Sequence, residues 1–592
     1  MRKVWTLLLT LTAIPLWAQD AFFEEVGERS GLALPFCRGV SVMDYNGDGF
    51  DDLFIARQND RTNLLYRNNG DGTFEDVSQS SGIGSVANAN QSTWADIDND
   101  GDLDFYLGTM EGEMNRLFRN KGDGTFEDIT AFSRTGIIAA TVSANWADIN
   151  GDGLVDLFLS VLTEDNKLFI NNGNGSFRDA TAESGLGFYR LSMGAVFLDY
   201  DNDGDQDLYV SHDAHEGNYL YRNNGQGQFT DVSQSTGIYS ESEGMGVSIG
   251  DFNNDGFVDL YLTNRLENML FRNNGGTSFT EIGGVAGVDD LGMGWGVSWL
   301  DFDNDGLLDI YIGNDTHYSD HPNVLYKNNG DETFSVIEQE ASISSEWGTH
   351  GTAITDIDHD GDLDIYTANR GLSDKTELFL NQYESENNWL IIRLKTEQDN
   401  RMAIGAKVEV TSNDEKYTRY MVAGTSWGGD DSKTLQFGLG DGSNIQSVKV
   451  TWPDGTMESF EGIATNKAYS LNRGGTAEEI AYQAFDILDA PDDDGGVVTS
   501  IDDDVLEALA PEVFPNPTAR DFTLRIHMNT LKNVNVNILK YETNSIYKLY
   551  NSPLGVGEHH LELLPPAIAA GLYLLQVTVG EDTFYKKLLV RD

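Results

Sequence analysis

The sequence predicts an all-β protein: a seven-bladed β-propeller followed by a small β-domain and a C-terminal β-sandwich. An Asp-rich motif recurs seven times at intervals of 50 to 55 residues, a period typical of propeller blades. Within each repeat, apolar residues alternate with polar ones, and Asn-Gly or Asp-Gly turns separate these runs. Such runs indicate short antiparallel strands joined by tight turns.

The two ends of the repeat region indicate a closed ring. Six motifs are followed by a second signature, such as "NLLYRNNGDGTFEDV", whereas the seventh, "TELFLNQ", stops short. The segment "AFFEEVGERSGL" at residues 21–32 has the form of the missing tail. We therefore expect the first strand to complete the last blade, which removes free sheet edges.

The chain divides into five predicted segments. Residues 1–18 are predicted to be a signal peptide, because Arg2 and Lys3 precede an apolar run with a cleavage position after Ala18. The propeller spans residues 19–385, the small β-domain 386–473, an acidic linker 474–510 and the C-terminal domain 511–592. No transmembrane segment is expected in the mature chain, because no later stretch approaches the roughly 18 apolar residues of a spanning helix.

The chain is strongly acidic, with 96 Asp and Glu residues against 38 Lys and Arg residues and a formal net charge of -58. This charge repels phosphate backbones, so nucleic acid is not an expected partner. It favours bound cations. Cys37 is the single cysteine, so stability outside the cell must come from packing and metal ions instead of a disulfide.

Each Asp-rich motif has the pattern Asp-x-Asp/Asn-x-Asp-Gly-x-x-Asp. Carboxylates on alternate residues of a tight loop supply several of the six to eight oxygen ligands that calcium takes. An EF-hand begins in the same way, but its twelfth position holds Glu, and here the first loop has Ile55 in a predicted strand. This excludes an EF-hand.

The predicted ligands are the side chains at positions one, three, five and nine of each loop and the backbone carbonyl at position seven. In chain order they are Asp44, Asn46, Asp48, Phe50, Asp52; Asp96, Asp98, Asp100, Asp102, Asp104; Asp148, Asn150, Asp152, Leu154, Asp156; Asp199, Asp201, Asp203, Asp205, Asp207; Asp251, Asn253, Asp255, Phe257, Asp259; Asp301, Asp303, Asp305, Leu307, Asp309; and Asp356, Asp358, Asp360, Asp362, Asp364. We expect up to seven structural calcium ions.

Residues that interrupt the repeat are better candidates for function than those that recur, because the fold explains the latter. The predicted ligand face, opposite the calcium loops, comprises His212, His215, His317, His321, His350, Asp213, Asp315, Arg265, Arg370 and Trp295. These residues could form a polar recognition rim, with Trp295, Tyr189 and Tyr318 stacking on sugars or protein side chains. Alternatively, a His/Asp cluster could bind a transition metal or act as acid and base.

The seven loops, followed by the strand "LYRNNGDGTF", resemble the FG-GAP, or VCBS-type, repeats of the integrin α-subunit propeller. The resemblance covers residues 21 to about 382. It implies calcium at each loop and a ligand-binding face opposite the loops. The inserted domain and disulfides of many integrin chains are absent from this sequence, so an integrin-like partner is not carried over.

The segments "NNWLIIRLKTEQDNRMAIGAKVEV" and "FGLGDGSNIQSVKVTWPDGTMESF" are similar to the ASPIC/UnbV domain, which follows such a propeller in the cartilage acidic protein family. The matching residues are Gly405, Ala406, Gly438, Gly440, Trp452, Pro453, Asp454 and Gly455. Between them, "AGTSWGGDDSKT" departs from the Gly/Ser-rich stretch expected of that family. The resemblance implies no reaction.

The segments "VFPNPTARDFTLRI" and "GLYLLQVTVGEDTFYKKLLV" resemble the C-terminal sorting domain of the type IX secretion system. This implies handling by the type IX secretion machinery, passage through the outer membrane, and release or attachment at the cell surface. We expect a secreted, calcium-binding adhesion or binding protein with a glycan or extracellular protein ligand. The alternative is a calcium-dependent polysaccharide lyase or hydrolase acting through the His/Asp-rich face.

Overall fold

The computed structural model describes residues 22–488, except 59–60, 84–85, 111, 163, 338–340, 346 and 372–373, together with strands between residues 512 and 590. The predicted signal peptide and most of the predicted linker, from residue 489, lie outside the described residues. Residues 1–490 and 491–592 form two compact units, and each is described by itself.

The predicted all-β fold is confirmed, and the repeats form four-stranded antiparallel sheets. The chain begins with β1 (Phe23–Glu25). Sheets I to VI follow in order: β2 to β5 (Cys37–Met43, Asp52–Arg57, Leu64–Asn68, Phe74–Asp76), β6 to β9 (Ala89–Ala95, Asp104–Thr109, Arg116–Asn120, Phe126–Asp128), β10 to β13 (Thr141–Ala147, Asp156–Val161, Lys167–Asn171, Phe177–Asp179), β14 to β17 (Ser192–Leu198, Asp207–His212, Tyr219–Asn223, Phe229–Asp231), β18 to β21 (Gly244–Gly250, Asp259–Asn264, Met269–Asn273, Phe279–Glu281) and β22 to β25 (Gly294–Leu300, Asp309–Asn314, Val324–Asn328, Phe334–Val336). Sheet VII comprises β26 (Thr349–Thr355), β27 (Asp364–Asn369), β28 (Glu377–Asn381) and β1.

The first strands of these sheets contact one another in order from β2 to β26, and β26 in turn contacts β2. These strands therefore surround a central channel, and their apolar side chains pack between neighbouring sheets. In sheet VII, β1 pairs with β28 and Phe23 lies opposite Asn381. The N-terminal strand thus completes the last sheet, as the sequence predicts.

Short helices follow the fourth strand of several sheets. In the described part of the chain they are α1 (Gly27–Ser30), α2 (Thr130–Ser133), α3 (Thr181–Ser184), α4 (Ser233–Thr236) and α5 (Gly283–Ala286). None of the helices in this part of the chain has the length and apolar character needed to cross a membrane.

An asparagine at the end of each third strand joins neighbouring sheets. Asn120 donates from Nδ2 to the Tyr45 carbonyl of sheet I at 2.9 Å, and its backbone N–H donates to Asp104 at 2.7 Å. Equivalent side-chain bonds come from Asn68, Asn171, Asn223, Asn273, Asn328 and Asn381. The Asn68 bond ends on Ile357 of sheet VII, so this set of bonds also joins the first sheet to the last.

The second domain consists of two further sheets. In order across each sheet, these are β33 (Leu435–Gly438), β29 (Trp389–Lys395), β36 (Lys467–Asn472) and β37 (Thr476–Ile480), and β31 (Glu415–Tyr420), β30 (Lys407–Ser412), β34 (Ile445–Thr451) and β35 (Met457–Phe460). A separate short strand, β32 (Gly429–Asp430), pairs with β2. Apolar residues of both sheets, including Ile392, Val408 and Val448, share one core.

The predicted linker began at residue 474, but the structure places β37 beyond that point. Ala468 of β36 lies opposite Ile480 of β37, so this strand extends the sheet of the second domain. The strand is an edge strand whose two glutamates are exposed. Because an exposed edge strand can carry several acidic residues, the composition of β37 resembled that of a linker.

The C-terminal unit has a three-stranded sheet and a four-stranded sheet among its described residues. The first contains β38 (Glu512–Phe514), β39 (Phe522–Met528) and β42 (Gly557–Leu563). The second contains β41 (Ser545–Leu554), β40 (Lys532–Lys540), β43 (Gly571–Val579) and β44 (Asp582–Val590), in that order across the sheet.

Asn223→Ala tests the bonds between sheets. Its Nδ2 donates to the Ile149 carbonyl at 2.8 Å and to the Gln206 carbonyl at 3.1 Å, so the substitution removes two buried hydrogen bonds, one of which joins two sheets. We expect a loss of about 1 to 3 kcal/mol in the free energy of unfolding, measured by urea denaturation. Asn224→Ala, at the exposed neighbouring position, is the matched control. Equal effects of the two substitutions would contradict the role of this bond.

Candidate functional site

The Asp-rich loops, named loop I to loop VII after their sheets, each wind around the carboxylate of the first residue. In loop I, Asp44 accepts the N–H groups of Asp48 at 3.0 Å and Gly49 at 2.8 Å. The bond from the glycine recurs in all seven loops. Gly49 has a φ of 100°, a conformation that a side chain disfavours.

The aspartate at position nine fixes each loop to the third strand of its sheet. Asp104 accepts the N–H groups of Ile97 at 3.0 Å and Asn120 at 2.7 Å. It is 1% exposed, and burial raises its pKa well above the ordinary value despite these bonds. Position nine therefore has a structural role in addition to its predicted role as a ligand.

Carboxylate oxygens converge within 4.8 Å of one another in four loops. The sets are Asp96, Asp98 and Asp104; Asp199, Asp201 and Asp203; Asp301, Asp303 and Asp309; and Asp356, Asp358 and Asp360. Within the described residues, several buried loop oxygens have no hydrogen-bond partner: Oδ1 of Asp98, Asp201, Asp301, Asp303, Asp358 and Asp362. A buried carboxylate oxygen without a partner is unfavourable, and calcium prefers carboxylate and carbonyl oxygens. The residues present therefore fit calcium.

The loop carboxyls have raised pKa values. The pKa rises to about 6 for Asp96 and Asp199 and to about 8 for Asp301. Burial is the largest cause, and repulsion from neighbouring aspartates adds to it. A divalent ion coordinated by these carboxylate oxygens would offset both effects, because its positive charge stabilises their ionised form.

The loops differ in the positive charge that the protein itself supplies. In loop IV, Arg222 lies 3.0 Å from Asp201 and 2.8 Å from Asp203. In loop VI, Lys327 pairs with Asp303 and Asp305. By contrast, the described residues place no basic side chain in an ion pair with the carboxylates of loops I, II, III, V and VII. In these five loops, a bound cation would supply charge compensation that no ion pair provides.

The second domain covers the ends of the sheets that carry the seven loops, here called the loop face. Arg393 donates to the Gly49 carbonyl of loop I at 2.6 Å. Arg401 donates to the Asp100 carbonyl of loop II at 2.9 Å. A cleft of about 380 Å³ remains between loop IV and the second domain, with Lys407 in its wall.

A segment of the second domain, residues 423–432, enters the central channel and is here called the channel segment. Its strand β32 runs parallel to β2, with Gly429 opposite Val40. Ser426 donates its N–H to the Val247 carbonyl at 3.0 Å, and Asp431 accepts the Ile354 N–H at 2.9 Å. The segment therefore bonds to sheets I, V and VII.

Trp427 of the channel segment lies near the ends of the sheets opposite the loop face, here called the histidine face. It is fully buried, with ring centroids 4.8 Å from Trp295 and 5.0 Å from His350. The Arg38 guanidinium lies 4.8 Å from the Trp427 ring centroid. Trp295 is only 8% exposed, because its ring stacks on His350 and packs edge-on against Trp427.

Asp315 brings two of the predicted histidines together. Its Oδ2 lies 2.8 Å from His350 Nε2, and its Oδ1 lies 2.9 Å from His317 Nδ1. Burial alone would raise the pKa of Asp315, but the bonds from His317 and His350 hold this pKa below its ordinary value. The bond to Asp315 raises the pKa of His317, whereas burial lowers the pKa of His350 to about 3. His350 is therefore neutral at physiological pH.

Two further predicted residues meet at a glutamate that the sequence analysis did not identify. Glu243 lies 3.7 Å from His215 Nε2 and 3.4 Å from Arg265 Nη1. His321 lies elsewhere, 3.7 Å from Asp290. The histidines of the predicted face therefore belong to several separate groups.

The remaining predicted residues do not join either group by side-chain hydrogen bonds. His212 is fully buried, and within the described residues neither ring nitrogen has a hydrogen-bond partner. Asp213 accepts the N–H of the next residue at 2.6 Å. Arg370 lies near Arg38, whose pKa falls to about 9 through burial and then through repulsion from Arg370.

Trp427 and Arg38 are the main residues of this region that the sequence analysis missed. Trp427 falls within "AGTSWGGDDSKT", the stretch that departs from the family pattern, and that departure was the available signal. Arg38 occupies the second position of β2, as Trp295 and His350 do in β22 and β26. Comparing this position across the repeats would have aligned these channel-lining residues.

Three protein families match this sequence. The FG-GAP-like repeat matches residues 44–107, 96–159, 148–210, 199–262, 251–312 and 301–367. The ASPIC and UnbV family matches residues 396–478. The secretion system C-terminal sorting domain matches residues 512–591.

Among characterised proteins, the chain is similar to cartilage acidic protein 1. It is 25% identical to the protein of Mus musculus over 444 residues, which cover 73% of this chain and 63% of that protein. It is 25% identical to the Homo sapiens protein over 452 residues, covering 73% and 61%. The matches thus span less than two thirds of the length of these relatives.

The solved structures that are similar to this chain match it only distantly. An Agrocybe aegerita lectin, described as recognising non-reducing terminal N-acetylglucosamine, is 18% identical with a TM-score of 0.36, and the match covers 53% of this chain and 85% of the lectin. The V. cholerae biofilm matrix protein Bap1 is 10% identical with a TM-score of 0.26, covering 94% and 66%.

Asp315→Asn tests the His317–Asp315 pair. Removing the carboxylate should lower the pKa of His317, because its charged form loses a partner. A raised pKa in the folded protein adds stability below the unfolded value of about 6.5, and this stability is lost as pH rises through the folded pKa. NMR titration of the His317 ring measures the shift, with Asp213→Asn as the control. An unchanged His317 pKa in Asp315→Asn would contradict the pairing.

Proposed function

Because the chain belongs to the FG-GAP-like repeat family, whose matches cover more than half of its residues, we propose that it is a calcium-binding β-propeller protein that binds a ligand outside the cell. The C-terminal sorting domain indicates type IX secretion to the cell surface or the extracellular space. The proposed signal peptide, residues 1–18, would direct the first export step.

The proposed architecture is a closed propeller in which each of sheets I to VII is one blade. The pairing of β1 with β28 and the asparagine bonds between sheets support this proposal. The second domain follows as a small β-domain. In the C-terminal unit, the three-stranded and four-stranded sheets would pack as a β-sandwich.

The observation that carries the calcium proposal is the recurrence of buried, unpartnered carboxylate oxygens in loops of one geometry. Residues at positions one, three, five and nine would supply side-chain oxygens, and position seven would supply a carbonyl. Up to seven ions would bind. Their role would be structural, because each loop is bonded to the third strand of its sheet and the second domain donates hydrogen bonds to loops I and II.

The histidine face is the proposed recognition surface. The loop face and the channel are occupied by the second domain, and the opposite face carries exposed aromatic side chains, including Tyr318 at 66% and Tyr189 at 57%. Arg265, His215 and His321 are also exposed there. His212, His350 and Trp295 are buried and would support this surface from beneath. The proposed ligand is a glycan or an extracellular protein.

A second candidate function is supported by the His317–Asp315–His350 group. His317 is partly exposed, and its pKa is raised by Asp315, so it could donate or accept a proton near neutral pH. The protein would then be a polysaccharide lyase or hydrolase. The binding function is preferred, because the other histidines lie in separate groups.

Calcium titration of an Asp358→Asn, Asp360→Asn double variant tests the calcium proposal. Isothermal titration of the wild-type chain should show binding in the range of roughly 10⁻⁴ to 10⁻³ M that is typical of extracellular modules. The variant should bind one ion fewer, because two carboxylates of loop VII are neutralised. Asp331→Asn, at an exposed position outside the loops, is the control and should retain wild-type stoichiometry. A wild-type chain that binds no calcium would refute the proposal.

A glycan and matrix-protein array tests the proposed recognition surface. We expect calcium-dependent retention of an intact ligand. Tyr318→Ala should lose about 2 kcal/mol or more of binding free energy, as truncation of an aromatic hot spot does. Arg178→Ala, an exposed change on β13, is the control. Mass analysis could instead show shortened or unsaturated sugars with the wild-type protein and none with His317→Gln. That result would establish the enzymatic function.

A further inference from the structure

We infer that calcium in the loops holds the second domain on the loop face, and that the channel segment transmits this state to the histidine face. The inference rests on the proposed calcium binding and goes beyond it, because it assigns the second domain a calcium-dependent position. Three groups of contacts support it: bonds to loop carbonyls, bonds to loop carboxylates, and the anchoring of the channel segment.

The second domain binds the loops through their backbone carbonyls. In addition to the bonds from Arg393 and Arg401, the Asn400 N–H donates to the Gly153 carbonyl of loop III at 2.8 Å. Lys407 donates to the Gly256 carbonyl of loop V at 2.7 Å. The positions of these carbonyls depend on how each loop is wound around its carboxylates. A change in the loops would therefore displace the acceptors of several bonds together.

At loop VI, the second domain binds a predicted calcium ligand directly. Asp301 Oδ2 accepts the Gly438 N–H at 3.1 Å and lies 3.4 Å from Arg419 Nη2. A Cβ at Gly438 would lie 2.2 Å from this oxygen, so a glycine is needed for the approach. Groups that orient a metal ligand influence the binding of the metal. Gly438 and Arg419 would be such positioning residues.

At loop VII, the same role falls to residues 481–488, here called the strap. Tyr482 donates its hydroxyl to Asp356 Oδ2 at 2.9 Å, and its ring stacks on His359 with centroids 4.0 Å apart. The Phe485 N–H donates to the Asp358 carbonyl at 3.0 Å. Asp356 and Asp358 belong to one of the converging carboxylate sets. The strap therefore contacts predicted ligands of a loop whose carboxylates have no ion pair with a basic side chain among the described residues.

The charges of the loops make this docking depend on the ion. Without a cation, the carboxylates of one loop repel each other in a buried site, and the loop can relieve this repulsion by opening. Opening would move the carbonyls and carboxylates that the second domain binds. Linkage is reciprocal, so docking of the second domain must strengthen calcium binding by the same factor as calcium strengthens docking.

The channel segment would follow the second domain, because both of its ends are joined to strands of that domain, β31 and β33. The fit in the channel is close: a Cβ at Gly429 would lie 2.1 Å from the Thr352 carbonyl. The Gly428 carbonyl accepts the Val40 N–H at 2.8 Å. Withdrawal would break these bonds and separate Trp427 from Trp295 and His350. Calcium bound at one face would thus determine the packing beneath the other.

Hydrogen exchange of the full chain, in saturating calcium and with chelator, tests this inference. With chelator, we expect faster exchange in residues 421–434 and at Val40, while the second strands of the sheets, such as β15, keep their protection. Fluorescence quenching by acrylamide should increase in parallel, and Trp427→Phe should abolish most of this increase.

An Arg393→Ala, Arg401→Ala double variant tests the reciprocal effect. In this variant, the calcium concentration that gives half-maximal protection of the channel segment from hydrogen exchange should be about fivefold or more higher than in the wild type. A factor of about five is the lower end of typical coupling between two sites. Arg67→Ala, an exposed arginine paired with Glu75, is the control and should leave this concentration unchanged.

The outcomes separate this inference from the calcium proposal. Calcium binding by titration, with no change in exchange of residues 421–434, would overturn the inference and leave the calcium proposal intact. Absence of calcium binding would overturn both. Loss of protection throughout the propeller at the same calcium concentration would also overturn the inference, because the second domain would then have no separate response.

Discussion

The structure of the described residues between 22 and 488 depends on how buried carboxylates are accommodated in the Asp-rich loops. The first aspartate of each loop accepts backbone N–H groups from within the loop, as Asp44 does from Asp48 and Gly49. The ninth aspartate accepts the N–H of an asparagine whose side chain bonds to the preceding sheet. The acidic loops are therefore part of the contacts that join one sheet to the next.

The same carboxylates explain where the second domain lies. A surface formed by seven acidic loops attracts donors and positive charge, and Arg393, Arg401, Lys407 and Arg419 of the second domain bind this surface. These residues supply charge that would otherwise come from solvent or bound ions. The association of the two domains is thus electrostatic at the loop face, whereas in the channel it combines hydrogen bonds to the first strands with burial of Trp427.

Beneath the histidine face, aromatic side chains from two sheets and from the second domain pack against one another. Trp295 and His350 belong to first strands of different sheets, and Trp427 comes from the second domain, yet the three rings contact one another. His350 bonds to Asp315, which also bonds to His317 nearer the surface. A continuous set of contacts therefore links the channel segment to a partly exposed histidine.

The sequence by itself determined the repeat, the strand pattern, the positions of the aspartates in each loop and the completion of sheet VII by β1, because these features depend on local periodicity and turn residues. It also indicated the sorting domain through motifs of contiguous residues. Only the tertiary structure decided that residues 423–432 enter the channel, that β37 belongs to the second domain and that Trp295 is covered. The physical reason is that burial of Trp427, or pairing of Gly429 with Val40, joins residues hundreds of positions apart, and no local pattern encodes which distant surfaces will meet.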